Sequence, residues 1–555
     1  MPRMIHDLEP ASVFRYFYEI SQIPRPSNHE KAIADYLADF AESRGLEWHR
    51  DSADNVVIIK EASPGRETEP AVILQGHMDM VCEKEPDCTK DMFAEGLDLR
   101  AEGDWIFAEG TTLGGDDGIA VAYALALLED ETLSHPRLEF LCTTAEEIGM
   151  LGASGLDPAP LTGRLLLNLD SEVEGVLTAG CAAGETMSIR LPVERTVNEN
   201  APIRQDAGSG TSAEDSAEDA VSAGQDTAYG TPVRILLSGL SGGHSGTAIQ
   251  FGRANADLLM VRILRDLFSV VPCRLCSLSG GSKNNAIPRE AAAEILTEDT
   301  EGLKTFLASA EKTLQKEYAV TDPELTLCAE ICTSDDTDSS SAEPCSAESP
   351  GACPSGSSDP SSAKSGSFEN SGKSFFGSRF PAPLSEDSAV AVLSLLSALP
   401  NGVQRMDQHI QGFVETSLNL GILHLSENEL YAEYLLRSTS PGALEDLGNR
   451  MRFLCRFFGA ESTCPDKYPA WEYRPESAFR EKMVRVFREQ YGKDPVVEII
   501  HAGLECGILS EKLPGLDAVS IGPDIPNIHT PKERLSISSV QRTWHYIRGI
   551  LEAAE

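Results

Sequence analysis

The stretch "AVILQGHMDMV", residues 71–81, sets the reading of the whole chain. A run of apolar and branched residues turns, within two positions, into His77 and Asp79. The run suits a strand buried on both faces, and such strands belong to parallel sheets covered by helices. In an open parallel sheet, ligands bind beyond the carboxyl ends of the strands. A histidine and an aspartate at such an end therefore mark a candidate site, and the rest of the sequence is searched for their partners.

Similar runs flank this one. "NVVIIK" (55–60), "LEFLCTT" (138–144) and "LLLNLD" (165–170) read as strands. "HEKAIADYLADFAESRG" (29–45) and "GIAVAYALALLEDE" (118–131) read as helices, the first with Asn28 as cap and Gly45 as stop. The alternation predicts an α/β fold with a mainly parallel sheet and helices on both faces.

Further on the style changes. "TPVRILLSGLSGGHSG" (231–246) reads as a strand and a Gly-rich turn, "AIQFGRANADLLMVRILRDL" (248–267) as a helix, and "ELYAEYLLRSTS" (429–440) as an alternating strand. The α/β style returns after "KYPAWEYRP" (467–475), with the helix "ESAFREKMVRVFREQYG" and then "PVVEIIHAGLECG". These shifts predict a first domain from residues 1–185 and 466–555, with a smaller α+β domain, 186–465, inserted into it. Residues 195–229 are polar and acidic and residues 334–371 are serine-rich. Neither holds enough apolar surface to offset ordering entropy, so both read as mobile low-complexity insertions.

Composition narrows the function. The chain of 555 residues carries a formal charge of −41, which argues against a nucleic-acid partner and against an anionic membrane surface. No apolar run approaches the roughly 20 residues of a membrane span. The N-terminus lacks a signal-peptide pattern, and the 13 cysteines follow no disulfide framework, so the reading is a cytoplasmic protein with reduced thiols.

The ionisable residues at predicted strand ends form one set. His77 and Asp79 follow "AVILQG", Glu146 and Glu147 follow "LEFLCTTA", and Asp170 ends "LLLNLD". His529 lies in the loop after "LDAVSIG", and Asp116 with Asp117 opens a helix in "TLGGDDG". Each has a plain alternative: a hydrogen-bonded histidine, an N-cap aspartate, a solvated acidic pair. Together, mixed imidazole and carboxylate donors suit zinc or a similar divalent ion. Three carboxylates (Asp116, Glu147, Asp170) and one hydroxide would balance two divalent ions, with both histidines neutral. Glu146 is then left over as a general base, and Asp79 as the group that fixes the tautomer of His77.

At this point the chain resembles a known family. "GHMDMV", "TLGGDDGIA", "TAEEIGMLGA", "NLDSE" and "PNIHTPKE" occur in the order and at the separations seen in the cocatalytic di-zinc metallopeptidases, which include aminoacylase, carnosinase and bacterial dipeptidases. "HAGLECG" (501–507) resembles the bacterial aminoacyl-histidine (Xaa-His) dipeptidase branch. The resemblance implies that His77, Asp116 and Asp170 bind one ion, and that Glu147, His529 and a bridging Asp116 bind the other. Zinc is the expected metal, with manganese or cobalt as substitutes. It further implies Glu146 as base, Asp79 as orienting acid, a cis bond between Asp116 and Asp117, and an inserted domain that acts as lid and dimer interface.

In that lid, His244 of "SGGHSG" matches a histidine presented to the developing oxyanion, often in the partner subunit's site. Asn285 of "NNAIP" matches a substrate-contacting asparagine, and Arg437 of "YLLRSTS" matches an arginine that takes a substrate carboxylate. The plain readings are a turn histidine, a turn asparagine and a strand-surface ion pair. His501 and Glu505 are further candidates for the substrate pocket. Cys506 reads as a buried, inert thiol. The implied activity is hydrolysis of unblocked dipeptides, Xaa-His among them. The alternatives are an aminoacylase or another exopeptidase with the same metal site, and a non-catalytic binding protein on the same fold.

Overall fold

The computed structural model describes residues 5–196, 230–332, 380–408 and 410–553. The serine-rich stretch 334–371 and nearly all of the acidic stretch 195–229 lie outside the described residues.

Two large sheets organise the chain. The first has eight strands in the order Glu47–Arg50, Val56–Lys60, Leu138–Thr143, Val72–His77, Leu165–Asn168, Asp517–Ser520, Val176–Cys181 and Val496–Ile500. Its four central strands, from Leu138–Thr143 to Asp517–Ser520, are mutually parallel. Beyond them Val56–Lys60 and Val176–Cys181 run antiparallel to their inner neighbours. Alternate side chains supply two cores, as the pleat requires. Ile58, Leu74, Phe140, Leu167 and Val519 join the core under the helices Ala11–Ser21, Gly115–Glu129 and Ile537–Glu552. Val57, Ile73, Leu141, Leu166 and Ala518 face the other core, against Leu509 and Leu513 around the helix Glu505–Lys512.

The second sheet is antiparallel throughout. Its main path runs Thr326–Ile331, Thr231–Ser238, Ala291–Thr297, Cys273–Gly280, Val414–Leu425, Glu429–Ser438, Ala183–Pro192 and Glu461–Thr463. Helices Ala256–Phe268, Glu386–Ala398 and Pro441–Phe457 share its core. The chain thus leaves the first sheet after Val176–Cys181, builds the second, and returns through the helix Ala478–Tyr491.

Two local expectations are corrected. Asn28 does not cap the helix Lys31–Ser43; the cap position is Glu30, whose carboxylate accepts the backbone N–H of Asn28. The stretch 248–267 is not one helix. Gly252 takes a left-handed φ of +66° after a short turn, Ile249–Phe251, and the helix begins afresh at Ala256 with the Asn255 side chain accepting from Asp257 and Leu258. A C-x-x-C pair, Cys273 and Cys276, also occurs, and both thiols are free on one strand. A bulge between Leu275 and Ser277 interrupts the strand at Cys276.

Candidate active site

Strand ends of the first sheet deliver the donors as the sequence predicts. His77 closes its strand, fully buried. Gly76 before it lets the neighbouring helix approach, since a Cβ there would lie 2.4 Å from Asp117 Oδ2 and 2.6 Å from Ala120 Cβ. That helix opens with Asp116 and Asp117 in non-helical backbone, joined by a cis peptide bond. Asp117 Oδ2 accepts the N–H of His77. It therefore braces the strand end and does not join the ligand cluster.

Asp116 faces two ways. Its Oδ1 lies 3.1 Å from His77 Nε2, and its Oδ2 lies 3.1 Å from His529 Nε2. Asp170 Oδ1 is 3.5 Å from the same His77 nitrogen, and Glu147 Oε2 is 2.9 Å from the His529 nitrogen. Three donor groups result: His77, Asp116 and Asp170; Asp116, Glu147 and His529; and His77, Glu146 and Glu147, each with ligand atoms within 4.8 Å of one another. The first is closed off, while the His529 side chain keeps 45% of its surface exposed. Solvent therefore reaches the second group.

These residues fit a pair of cations. Among the described residues, Glu147 Oε1 is buried with no hydrogen-bond partner, a lone-pair donor suited to a cation. Burial lowers the pKa of His529, but its contacts with Asp116 and Glu147 outweigh that and hold it up at about 11. Burial lifts Asp170 to about 6, although His77 opposes the rise. Burial likewise raises Glu146 far above the usual carboxylate range, with His77 opposing and Asp170, Glu147 and Glu505 reinforcing it. Closely packed carboxylates with two imidazolium groups are what a divalent pair replaces.

Asp79 departs in part from its expected task. Its Oδ1 is 3.2 Å from His77 Nδ1, but that nitrogen has no aligned hydrogen bond. The carboxylate instead accepts from Ser27 Oγ and from the backbone N–H groups of Glu146 and Glu147. It thus pins the turn that carries the proposed base. Ala145, just before that turn, sits at a left-handed φ of +49°, and its N–H donates to Glu30. A non-glycine residue held there is strained, and the surrounding bonds enforce it.

Several supports went unread in the sequence. Glu533, buried four residues after His529, accepts backbone N–H groups from Leu113, Gly114, Gly115 and Asp116. One carboxylate thereby fixes the loop of Asp116 relative to the loop of His529. Beneath the site, Gln75 donates to Glu505 Oε2 at 2.6 Å and accepts from Asn168, while Thr143 Oγ1 also donates to Glu505. Glu505 is thus fully buried in a network under three strands, bonded through Oε2, while its Oε1 has no hydrogen-bond partner among the described residues. Burial lifts its carboxyl to about 8.

The second sheet brings further candidates toward the mouth. His244 Nδ1 accepts from the N–H groups of Gly246 and Thr247, which leaves the proton on Nε2. Burial, then Arg437 and His529, lowers this imidazole to about 4, so it is neutral at pH 7. A residue of the same chain is thus placed within electrostatic reach of His529. Asn285 is exposed on the turn before the strand that pairs with Gly243–His244, and its carbonyl accepts from Ser245. His501 is buried, its Nε2 is 2.7 Å from Ser417 Oγ, and burial followed by Arg437 and His244 lowers it to about 3. Cys506 is buried and burial raises its thiol far above the usual range, as expected of an inert thiol.

Arg437 is buried, and no acidic residue among those described pairs with it. Its neighbours are the Tyr468 phenol at 2.6 Å and His244 at 3.5 Å, and its Nε has no partner. A buried guanidinium without a counter-ion is costly unless a ligand supplies the anion.

The profile of peptidase family M20/M25/M40 matches residues 73–553, which span both sheets and every donor named above. The chain belongs to this family. It is an M20 peptidase, a hydrolase of peptide bonds. It is 32% identical over 550 residues to the cytosol non-specific dipeptidase of Escherichia coli K12, covering 99% of this chain and 98% of that protein. The crystal structure of the aminoacylhistidine dipeptidase of Vibrio alginolyticus superposes with a TM-score of 0.74 at 31% identity, over 100% of this chain and 98% of that one. A Staphylococcus aureus tripeptidase shares the fold at a TM-score of 0.50 and 14% identity, covering 98% of each chain. The M20 fold thus accounts for the α/β sheet with its second α+β layer. No described helix is long and apolar enough to cross a membrane.

Proposed function

We propose that this M20 peptidase hydrolyses unblocked dipeptides in the cytoplasm, Xaa-His dipeptides among them. The observation that carries the reading is Asp116, whose two carboxylate oxygens each lie 3.1 Å from a different histidine. One residue then serves two cation sites. His77, Asp116 and Asp170 hold one ion, and Asp116, Glu147 and His529 hold the other, with zinc the first choice and manganese or cobalt able to replace it. When bound, the ions supply Lewis acidity to the scissile carbonyl and to the attacking water.

The protein does the rest. Glu146 takes a proton from the water and passes it to the leaving amine. Asp79 holds the Glu146 backbone in place through the N–H it accepts. The Nε2–H of His244 faces the developing oxyanion, a task that suits a neutral imidazole with its other nitrogen already occupied. Arg437 receives the substrate's C-terminal carboxylate, the anion its burial demands. Asn285 and His501 complete the pocket wall. The inserted domain, residues 186–465, works as a lid, and its closure excludes water. The reading of a homodimer joined through this lid is supported by the family resemblance and by the edge strand Thr326–Ile331, exposed at all but one position.

The test compares Gly-His, β-Ala-His and Leu-Gly with an N-acetyl amino acid. Cleavage of the dipeptides with little or no deacetylation is expected. Faster release of acetate than of dipeptide products would transfer the reading to the aminoacylase alternative.

A further inference from the structure

The second sheet places three residues in one cross-strand row. Arg437 on Glu429–Ser438 pairs with Gly184 on Ala183–Pro192, and Gly184 pairs on its other side with Tyr468 on Lys467–Tyr468. Side chains in such a row stand next to one another on the sheet face. Gly184 has none, and the Tyr468 ring lies across the space. A Cβ at Gly184 would be 2.2 Å from Tyr468 Cζ and 2.4 Å from its Oη. The phenol thereby reaches over the central strand and accepts from Arg437 Nη1 at 2.6 Å.

The same ring is held from the other domain. A Cβ at Gly503, in the loop after Val496–Ile500, would be 2.7 Å from Tyr468 Cε2. Met150, Ala153 and Ile508 pack against the ring, and Met150 lies four residues beyond Glu146. Two glycines thus admit a bulky side chain between the guanidinium and the turn that carries Glu146. Among the described residues, the polar groups bonded to or paired across from Arg437 are neutral: Tyr468, His244 and, across the adjacent strand pair, Ser417. Of these, Tyr468 alone makes a short, aligned hydrogen bond to it.

We propose that Tyr468 is a positioning and specificity-determining residue. It aims the Arg437 guanidinium and fixes the distance between the substrate's terminal carboxylate and Glu146, which restricts the enzyme to short substrates with a free C-terminus. An acid in place of the phenol would neutralise Arg437 and close the anion site. An apolar residue would leave the guanidinium free to turn away. The phenol orients the cation and leaves its charge for the substrate. The inference rests on the reading of Arg437 as the carboxylate anchor.

The test uses the metal-loaded full chain with Leu-Gly and its C-terminal amide, both followed by release of leucine. For Tyr468→Phe, kcat/KM toward Leu-Gly is expected to fall about tenfold, mostly through KM, as for a lost hydrogen bond to a charged group. Toward the amide it should stay within about twofold. In an Arg437→Ala background the same substitution should have no further effect, since the two residues act as one unit. Gly184→Ala, which displaces the ring, should reproduce the Tyr468→Phe pattern. Equal losses on both substrates, or an unchanged KM for Leu-Gly, would overturn the role given to Tyr468. If Arg437→Ala itself leaves the preference for the free carboxylate intact, the anchor reading fails, and that result is separate from the outcome for Tyr468.

Discussion

Replacing Glu146 with alanine is expected to leave both cations bound and to lower kcat by about 10²–10⁴-fold, with KM little changed. No described residue donates a hydrogen bond to the Glu146 carboxylate, whereas Asp79, Asp116, Glu505 and Glu533 are all engaged. A carboxylate left unbonded at the mouth of a donor cluster is available for proton transfer. Its raised pKa adds a condition. Burial and the nearby acids hold Glu146 protonated when the cluster lacks cations. Bound cations reverse that balance and release the base. Substitution by alanine removes the base and leaves intact both donor groups that share Asp116. Metal analysis beside steady-state kinetics checks the result; retained turnover, or loss of metal along with activity, would remove Glu146 from the role.

Asp116→Asn is expected to act differently. An amide can offer only one oxygen, so it serves at most one of the two histidine-bearing groups. Affinity for both cations should fall, and kcat/KM should drop at least about 10³-fold as Lewis-acid assistance is lost. Asp170→Asn provides the contrast, because Asp170 approaches only His77 and should weaken one cation. Cation content measured on dialysed variants separates the cases. If Asp116→Asn keeps two tightly bound ions, a bridging role for this residue is wrong.

The elements most legible in the sequence were those with a periodic or positional signature. Four apolar runs gave the strands Val56–Lys60, Val72–His77, Leu138–Thr143 and Leu165–Asn168, and their ends gave His77, Glu147 and Asp170. Strand direction was less legible. Val56–Lys60 is buried on both faces like its parallel neighbours yet runs antiparallel to Leu138–Thr143. Burial on two faces fixes hydrophobicity and says nothing of direction. Arg437, Asn285 and His244 were read by resemblance alone, because no local pattern marks a residue that waits for a substrate.

Glu533 and Tyr468 escaped for a related reason. Both lie inside stretches with a legible pattern, "PNIHTPKE" and "KYPAWEYRP". A carboxylate that accepts four backbone N–H groups from residues 113–116 has no sequence period to betray it. A tyrosine that crosses Gly184 is visible only once the strand register is known. The misplaced cap at Asn28 shows the same limit, since Glu30 won that position through its long-range bond to Ala145.

The most direct measurement strips the protein with a chelator, titrates divalent metal back, and follows both proton release and Gly-His hydrolysis. In the cation-free fold His529 keeps its proton: its ion pair stabilises fully below the unfolded value near 6.5 and is lost only as pH rises through about 11. Cations must therefore displace protons from His529 and His77 at pH 7. The account predicts two ions bound per chain, about three protons released, from His529, His77 and Glu146, and hydrolysis restored only as the second ion binds. A single ion that restores full activity, or two ions that release no protons, would contradict the shared-ligand site built on Asp116.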